Sequence, residues 1–386
     1  MAYNRKQRLN DNIKAIETAF ILDREQRTPT ARERLLLERY CGFGGLKCIL
    51  NPARELADAV HWAKSDLELF APTVELHRLI RENSKNESEY KQLMDSLKQS
   101  VLTAFYTPSD VTEALTDVLK EHQIIPEKVL EPSAGIGAFV DSVLDNNPKA
   151  DIMAFEKDLL TGKILRHLHP EQKVRIEGFE KIEKPFNDYF DLAISNIPFG
   201  DVAVFDPSYT AMKGMRALVT RRIHNYFFVK ALDTVRDGGL VAFITSQGVL
   251  NAKNNSAARF MMLYHADLVS AIRLPNNLFT ENANTEVGSD LIILQKNSQK
   301  ESLRGDDNLL DTVYNDENRI PTNNYFLEHP ERIIHTTAKL DTDPFGKPAM
   351  IYTHEDGVEG IAEDLRKMLH EDFKKNLNLN RYLGIE

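Results

Sequence analysis

Apolar residues recur at helical spacing through the first 100 residues of the chain. The pattern is clear in DNIKAIETAFILDREQ, ARERLLLERY and NPARELADAVHWAKSDLELF, and it returns between residues 73 and 105. Three glycines between residues 42 and 45 end one of these helical patterns in a tight backbone passage. Because no strong strand pattern interrupts this part, the sequence predicts an N-terminal helical region over residues 1–100.

The pattern changes at about residue 101, where short apolar runs begin to alternate with helical ones. The apolar runs occur in VLEPSAGIGAF, DIMAFEKD, FDLAISNIPFG, GGLVAFITS, DLVSAIRLP and SDLIILQK. Strands that alternate with helices predict an α/β fold, with a mostly parallel sheet and helices on both faces. We therefore expect a core over residues 101–300, followed over residues 301–386 by a short polar extension that ends in a helix.

Composition narrows the class of protein. The chain is 42% hydrophobic and 27% charged, which is ordinary for a globular protein. It has no run of about 18 apolar residues and no secretory signal, so we expect a cytoplasmic location and no membrane partner. Cys41 and Cys48 are expected to be buried thiols, and we expect no metal site. The net charge of −10 argues against tight DNA binding by the chain alone.

A glycine-rich loop follows the first predicted strand. Gly135 and Gly137 carry no side chain, so a ligand could approach the backbone closely, and the N–H groups of the next helix favour an anion. The dinucleotide and P-loop patterns are both absent. Glu156, at the end of the second strand, could accept hydrogen bonds from a ribose diol. The loop and the acid together indicate a nucleoside ligand, although Glu156 alone could be an ordinary surface acid.

A second candidate site is SNIPFG, at the end of a later strand. The side-chain oxygen of Asn196 and the main-chain carbonyl of Ile197 could hold a planar amino group. Pro198 fixes the backbone direction after them, and Phe199 offers a flat face to an aromatic base. Such positioning can supply much of a transfer rate. Taken alone, the stretch is equally compatible with an ordinary turn, in which Asn, Pro and Gly are common.

In combination these motifs resemble those of class I S-adenosylmethionine-dependent methyltransferases of the N6-adenine DNA type, in the gamma motif order. SNIPFG resembles the catalytic Asn-Pro-Pro-Tyr/Phe motif, with Ile197 in place of its first proline. RYCGFGGL, AIRLPNNLF and NNYFLEHPERI are similar to the methylase part of phage and conjugative-element helicase–methylase proteins. The resemblance implies catalytic roles for Asn196, Ile197, Pro198 and Phe199. It implies a cofactor site formed by Phe105, Tyr106, Thr107, Pro108, Glu131, Pro132, Ser133, Gly135, Gly137, Glu156, Lys157, Phe179 and Asn196.

The resemblance further implies methyl transfer to the N6 amino group of a flipped adenine in DNA. Phe199 and Phe279 would sandwich the base. Basic residues after SNIPFG would contact phosphates, unless they form only a solvated basic face: Lys213, Arg216, Arg221 and Arg222. A separate specificity or helicase subunit is an expected partner. We expect His224 and Asn225 to lie on a helix that packs against the sheet, not in the catalytic centre.

Two alternatives remain open from the sequence. A methyltransferase acting on RNA or on a protein glutamine amide could use the same motif, because it suits any planar amino group. A methyltransferase-like module that binds DNA or a partner without transfer is the other alternative. It is motivated by Ile197 and by Gly178, which stands where the family usually has an acid before its adenine-packing aromatic.

Overall fold

The computed structural model describes residues 4–103, 106–212, 214–280, 286–303, 305–314, 319–343 and 346–385. A seven-stranded sheet with the order β3-β2-β1-β4-β5-β7-β6 forms its centre. Its strands are β1 (Lys128–Glu131), β2 (Asp151–Phe155), β3 (Lys173–Arg175), β4 (Phe190–Asn196), β5 (Val235–Ser246), β6 (Ala266–Leu274) and β7 (Ser289–Lys296). Neighbouring strands from β3 to β5 are parallel, whereas β7 runs antiparallel to β5 and β6.

Helices surround the sheet and fill the N-terminal region. In chain order they are α1 (Arg5–Glu25), α2 (Ala31–Leu37), α3 (Phe70–Glu82), α4 (Glu87–Thr103), α5 (Ser109–Glu121), α6 (Ala138–Asn146), α7 (Leu159–Leu168), α8 (Pro207–Thr210), α9 (Met215–Val219), α10 (Ile223–Thr234), α11 (Gly248–Asn251), α12 (Ser256–His265), α13 (Asn324–Glu328), α14 (Gly357–Asn376) and α15 (Leu379–Leu383). Two hairpins follow the core, formed by β8 (Thr312–Tyr314) with β9 (Pro321–Asn323) and by β10 (Thr337–Thr342) with β11 (Pro348–Thr353).

The central strands are buried on both faces, which explains their nearly continuous apolar sequences. Val129 and Leu192 face one hydrophobic cluster, whereas Leu130 and Ala193 face another. The first cluster also contains buried residues of α5, α6 and α14, and the second contains those of α10 and α12. The predicted α/β fold, with helices on both faces of a mostly parallel sheet, is confirmed.

The N-terminal helical region packs around a third cluster, which includes Leu160, Ile164 and Leu168 of α7. One element differs from its prediction. The pattern in residues 51–70 predicts a helix, but the chain forms two short 3₁₀ segments there, Leu56–His61 and Lys64–Leu69. Leu56 and Val60 are each 81% exposed, so the helical spacing in this stretch does not correspond to a buried face.

The polar C-terminal part contributes to the core through its predicted helix. That helix is α14, which packs against α5 and β6 and buries Leu365, Leu369 and Phe373 in the first cluster. The three-part division of the chain remains a prediction. Of the helices that the structure describes, none combines the length and apolarity needed to cross a membrane.

Candidate active site

The glycine loop runs from the end of β1 to α6 in a conformation that favours glycine. Gly135 has a φ of +56° and Gly137, which precedes α6, has a φ of +92°. A Cβ atom on Gly135 would lie 2.9 Å from the ring of Tyr106. Two backbone N–H groups fix the loop to the end of β2: Ala134 donates to the Phe155 carbonyl and Gly135 to Glu156 Oε2, both at 2.8 Å. The loop is therefore bound to the acid that the sequence assigns to the same site.

Glu156 connects this loop to the next turn of the chain. Its Oε1 accepts a 2.7 Å hydrogen bond from the Asp158 N–H. Burial raises the pKa of Glu156 to about 8, and the neighbouring Asp158 carboxylate adds to that effect. Lys157 is exposed and lies 3.9 Å from Glu180. The predicted ribose-binding acid thus lies at the expected strand end, in surroundings that favour its neutral form.

Sequence reasoning did not assign a role to Asp158 or to Ser96. Asp158 caps α7: its Oδ1 accepts hydrogen bonds from Thr161 N–H (2.7 Å) and Ser96 Oγ (2.8 Å). Its Oδ2 is buried and has no hydrogen-bond partner among the described residues. The capping position, one residue before a helical run, was a local signal for Asp158. The contact with Ser96, which comes from α4, had no such signal.

Two further polar atoms of the predicted cofactor site are buried without partners in the described part of the chain, Glu131 Oε2 and Thr107 Oγ1. Glu131 is only 2% exposed, and burial raises its pKa well above the usual range. A buried carboxyl with an unpaired oxygen is costly unless a ligand donates to it. The residues therefore fit a ligand that carries an amino or ammonium donor.

A cavity of about 490 Å³ lies beside the loop, between the N-terminal helical region, α5 and α6. Its lining includes Tyr40, Tyr106, Thr107, Pro108, Ile136 and Ala138. Tyr106 therefore belongs to the cavity wall and also covers Gly135. Glu131, Glu156 and Asn196 are outside the lining, so this cavity adjoins the strand-end acids and does not contain them. Phe105, predicted to belong to the same segment, lies outside the described residues.

The SNIPFG motif begins in the last residues of β4. Asn196 ends the strand and is partly exposed, whereas the side chain of Ile197 is 1% exposed. The Ile197 N–H donates to the Ile244 carbonyl at 3.0 Å, which continues the pairing with β5 beyond the strand. Pro198 and Phe199 are partly exposed. Ile197 thus takes part in packing through its side chain and in strand pairing through its backbone.

One hydrogen bond joins the two predicted motifs. Ser195 Oγ donates to the Ser133 carbonyl at 3.1 Å, so the end of β4 is held against the glycine loop after β1. The strands β1 and β4 are parallel neighbours, and their carboxyl ends meet at the same edge of the sheet. In open α/β sheets this edge is where ligands bind. The structure therefore brings the predicted cofactor loop and the predicted catalytic motif into contact.

Two predicted aromatic contacts have a different environment. Phe179 is 1% exposed and packs against Phe155 and Phe227, with ring centroids 5.8 and 5.3 Å apart. Phe279 is fully buried within the first hydrophobic cluster. With the side chains in these positions neither ring has a free face for an adenine, neither that of the cofactor at Phe179 nor that of a target base between Phe199 and Phe279. Their roles remain predictions that require a rearrangement.

The predicted phosphate-binding cations are not equivalent. Arg216 forms a bidentate pair with Asp233, at 2.6 and 2.9 Å, so its guanidinium holds α9 against α10. Arg222 pairs with Asp201 at 2.7 Å and donates to Asn255 at 2.5 Å. Arg221 is exposed, and Lys213 lies outside the described residues. The guanidinium of Arg216 is therefore engaged inside the protein in this structure, and its expected contact with DNA remains a prediction that requires this pair to open.

His224 and Asn225 lie on the first turn of α10 and are buried, as expected for a helix that packs on the sheet. Asn225 Nδ2 donates to Asn255 Oδ1 at 2.8 Å. Burial lowers the pKa of His224 to about 4, with the Arg222 charge as a second cause. The thiols of Cys41 and Cys48 contact arginine side chains, and burial raises the pKa of both.

Comparison with known proteins identifies relatives. The profile of the N-6 DNA methylase family matches residues 88–382. Defense against restriction protein B of Escherichia phage P1 is 29% identical over 201 residues, which are 50% of this chain and 8% of that protein. The type II methyltransferase M.XamI of Xanthomonas campestris pv. amaranthicola is 25% identical over 173 residues, which are 42% of this chain and 33% of that protein. The matched segment is therefore a small part of the phage protein and about a third of the type II methyltransferase.

Solved structures of restriction–modification proteins are also similar. The methyltransferase subunit of a type I system from Streptococcus thermophilus is 13% identical, covering 98% of this chain and 93% of that chain, with a TM-score of 0.45. The type ISP enzyme LlaBIII, solved bound to DNA, is 12% identical, covering 96% of this chain and 28% of that chain, with a TM-score of 0.43.

The strand order and the site at the carboxyl edge define a class I methyltransferase fold. Within that class the chain belongs to the N-6 DNA methylase family, whose profile spans the whole sheet and α14. The resemblance predicted from the motifs is thereby confirmed, including the likeness to a phage protein.

Proposed function

We propose that this chain transfers a methyl group from S-adenosylmethionine to the N6 amino group of adenine in DNA, in the cytoplasm, and that the target base leaves the duplex to react. The observation that carries the proposal is the hydrogen-bonded junction of the two motifs. Ser195 Oγ joins the end of β4 to Ser133 of the glycine loop, and Glu156 holds that loop from β2. Cofactor and amino group would therefore meet at one edge of the sheet.

The cofactor, when bound, supplies an activated methyl group on a positively charged sulfur. The unpaired buried oxygens of Glu131 and Thr107 are suited to its methionine end, where Glu131 would accept from the ammonium group. Glu156 is suited to the ribose hydroxyls, because a carboxylate can accept two hydrogen bonds. Gly135 and Gly137 leave room for a close approach, and Tyr106 covers the loop from the cavity side.

Asn196 and Ile197 have the role of holding the amino group. The Asn196 side-chain oxygen and the Ile197 carbonyl would each accept one N–H of the amino group, which orients its lone pair away from the base plane. Replacement of the usual proline by Ile197 leaves this acceptor in place, because a main-chain carbonyl does not depend on the side chain. Phe199, which is partly exposed, would stack on the base. Much of the rate acceleration would come from this positioning, without a covalent intermediate.

The family membership favours DNA over RNA or a protein amide as the substrate. The curated relatives extend well beyond the matched segment, so we further propose that specificity or helicase functions come from additional protein, in the same polypeptide or a separate subunit.

Three experiments test this proposal. Calorimetry with S-adenosylmethionine should detect binding, and a Glu131→Gln variant should bind much more weakly. Incubation with labelled cofactor and separate pools of DNA, RNA and protein should label DNA. Single-molecule sequencing of DNA from cells that express the chain should then show a shared modified adenine context. Label in RNA or protein alone would refute adenine in DNA as the substrate, and absent cofactor binding would refute enzymatic methylation altogether.

A further inference from the structure

The segment after the SNIPFG motif presents large apolar side chains to solvent. Val202 is 58% exposed, and Phe205, six residues after Phe199, is 78% exposed. Among the described phenylalanines, Phe205 alone is a largely exposed side chain. Exposed apolar side chains that are grouped beside a predicted catalytic motif are typical of a surface that contacts a partner or substrate.

Hydrogen bonds and packing hold the backbone on both sides of Phe205, so the position of its exposed ring is fixed by the protein. The N–H of Val204 donates to the Thr220 carbonyl at 2.8 Å, and the Val204 side chain packs against the second hydrophobic cluster. Asp206 is 3% exposed and accepts hydrogen bonds from Tyr226 Oη at 2.6 Å and Ser208 N–H at 2.8 Å. In an extended chain, neighbours point to opposite sides, and here Phe205 points outward between two inward residues.

The surroundings of this segment favour an anionic partner. Arg221 is exposed and directly follows Thr220, whose carbonyl holds Val204. Lys253 is also exposed, in the short turn whose residue Asn255 binds Arg222. Within the described part of the chain, no salt bridge engages the side chain of Arg221 or of Lys253. A cation at Arg221, next to the residue that holds Val204, and a fixed aromatic side chain at Phe205 are suited to a phosphate backbone and a base stack.

We propose that Phe205, assisted by Val202, inserts into the base stack of double-stranded DNA at the position that the target adenine leaves. This inference rests on the proposed function and extends it. It assigns double-stranded DNA as the substrate and names the residue that fills the space left by the flipped adenine. Proteins that kink or open DNA commonly insert apolar side chains between base steps, which offsets the lost stacking. Phe205 would be a positioning residue, since it would act on the neighbouring bases and not on the reacting amino group.

The test uses duplex oligonucleotides that carry the modified context found by sequencing, with the target adenine paired to thymine or placed opposite an abasic position. Phe205→Ala should lower the methylation rate of the paired duplex roughly 10- to 100-fold, because opening the pair loses its support. On the duplex with the abasic position, where the adenine is already unpaired, the loss should be less than about 3-fold. With 2-aminopurine at the target position, the fluorescence increase on binding should shrink for the paired duplex only.

Control variants separate this role from folding and docking. Phe205→Leu retains an apolar side chain and should keep most of the activity, and Leu56→Ala removes another strongly exposed apolar side chain far along the sequence and should change nothing. The inference is overturned if Phe205→Ala loses activity equally on both duplexes, or keeps full activity on the paired one. Failure of the wild-type chain to methylate either duplex is a distinct result, which overturns the proposed function and this inference with it.

Discussion

The two halves of the active-site edge differ in how they use polar and apolar groups. In the cofactor half, formed by residues 131–137 and 156–158, the acids are buried or partly buried and backbone N–H groups bind Glu156. One oxygen each of Glu131 and Asp158 is buried without a hydrogen-bond partner among the described residues. In the substrate half, formed by residues 195–222, Arg216 and Arg222 are paired within the protein, and the exposed surface is apolar at Val202 and Phe205. A few fixed polar atoms are enough to bind a small ligand, whereas a polymer substrate needs an exposed surface on a segment whose backbone is held in place.

The largest expected effect comes from the residue where the two halves meet. Asn196→Ala should reduce methyl transfer at least about 100-fold, because the amino group loses one of its two acceptors. Cofactor affinity, measured by calorimetry, should change by less than about 3-fold. Asn187→Ala is a matched control, since that exposed asparagine lies near the other end of β4 and should have no effect. Full activity in Asn196→Ala would place the catalytic centre elsewhere.

The next effect concerns the cofactor half alone. Gly135→Ala should weaken cofactor binding about 10-fold and lower the free energy of unfolding by about 1–3 kcal/mol, because a side chain at φ +56° is strained and would meet the Tyr106 ring. Gly384→Ala is the matched control: its φ is +67°, but nothing lies within 4 Å of the added Cβ. Unfolding by urea and calorimetry measure both quantities. If Gly135→Ala and Gly384→Ala lose the same free energy of unfolding, then the contact with Tyr106 has no effect on stability.

The sequence predicted the cofactor half more completely than the substrate half. The loop at Gly135 and the acid Glu156 belong to local patterns, a strand followed by a turn or an acid, so their placement follows from short stretches of chain. The pairing of Arg216 with Asp233 and the burial of Phe279 depend on where distant segments meet. Periodicity and composition carry no information about such contacts. The expected phosphate contact of Arg216 therefore took no account of its pair with Asp233.

A smaller, pH-dependent effect is expected at Glu156. Its pKa is about 8 in the folded chain, compared with 4.5 for an ordinary glutamate, which represents the unfolded chain. Between these two pH values the folded state therefore binds more protons than the unfolded state. The contribution of Glu156 to stability should therefore fall as pH rises from about 4.5 to 8. Ribose hydroxyls would favour the carboxylate, so cofactor affinity should rise over the same interval and proton release should accompany binding.

Glu156→Gln tests this linkage. The variant should bind the cofactor weakly, with an affinity that no longer rises with pH, and its unfolding free energy should vary less between pH 5.5 and 8.5 than that of the wild type, roughly as expected for removal of one titrating group. Glu171→Gln, at an exposed acid, should behave as the wild type does. Calorimetry in buffers of different ionisation enthalpy measures the protons released. An unchanged pH profile in Glu156→Gln would assign the linkage to another group.

The smallest effects should separate the cations of the substrate half. Arg221→Ala should weaken DNA binding about 2- to 5-fold and reduce the slope of log affinity against log salt by about 1, because one phosphate contact and its released counterion are lost. Arg216→Ala should leave that slope unchanged and instead lower the free energy of unfolding by about 1 kcal/mol, since Asp233 loses a partly buried partner. Arg78→Ala, on the exposed face of α3, controls for loss of charge alone. If Arg216→Ala reduces the salt slope as much as Arg221→Ala does, then the pair with Asp233 opens when DNA binds, and the internal use of that charge is confined to the free protein.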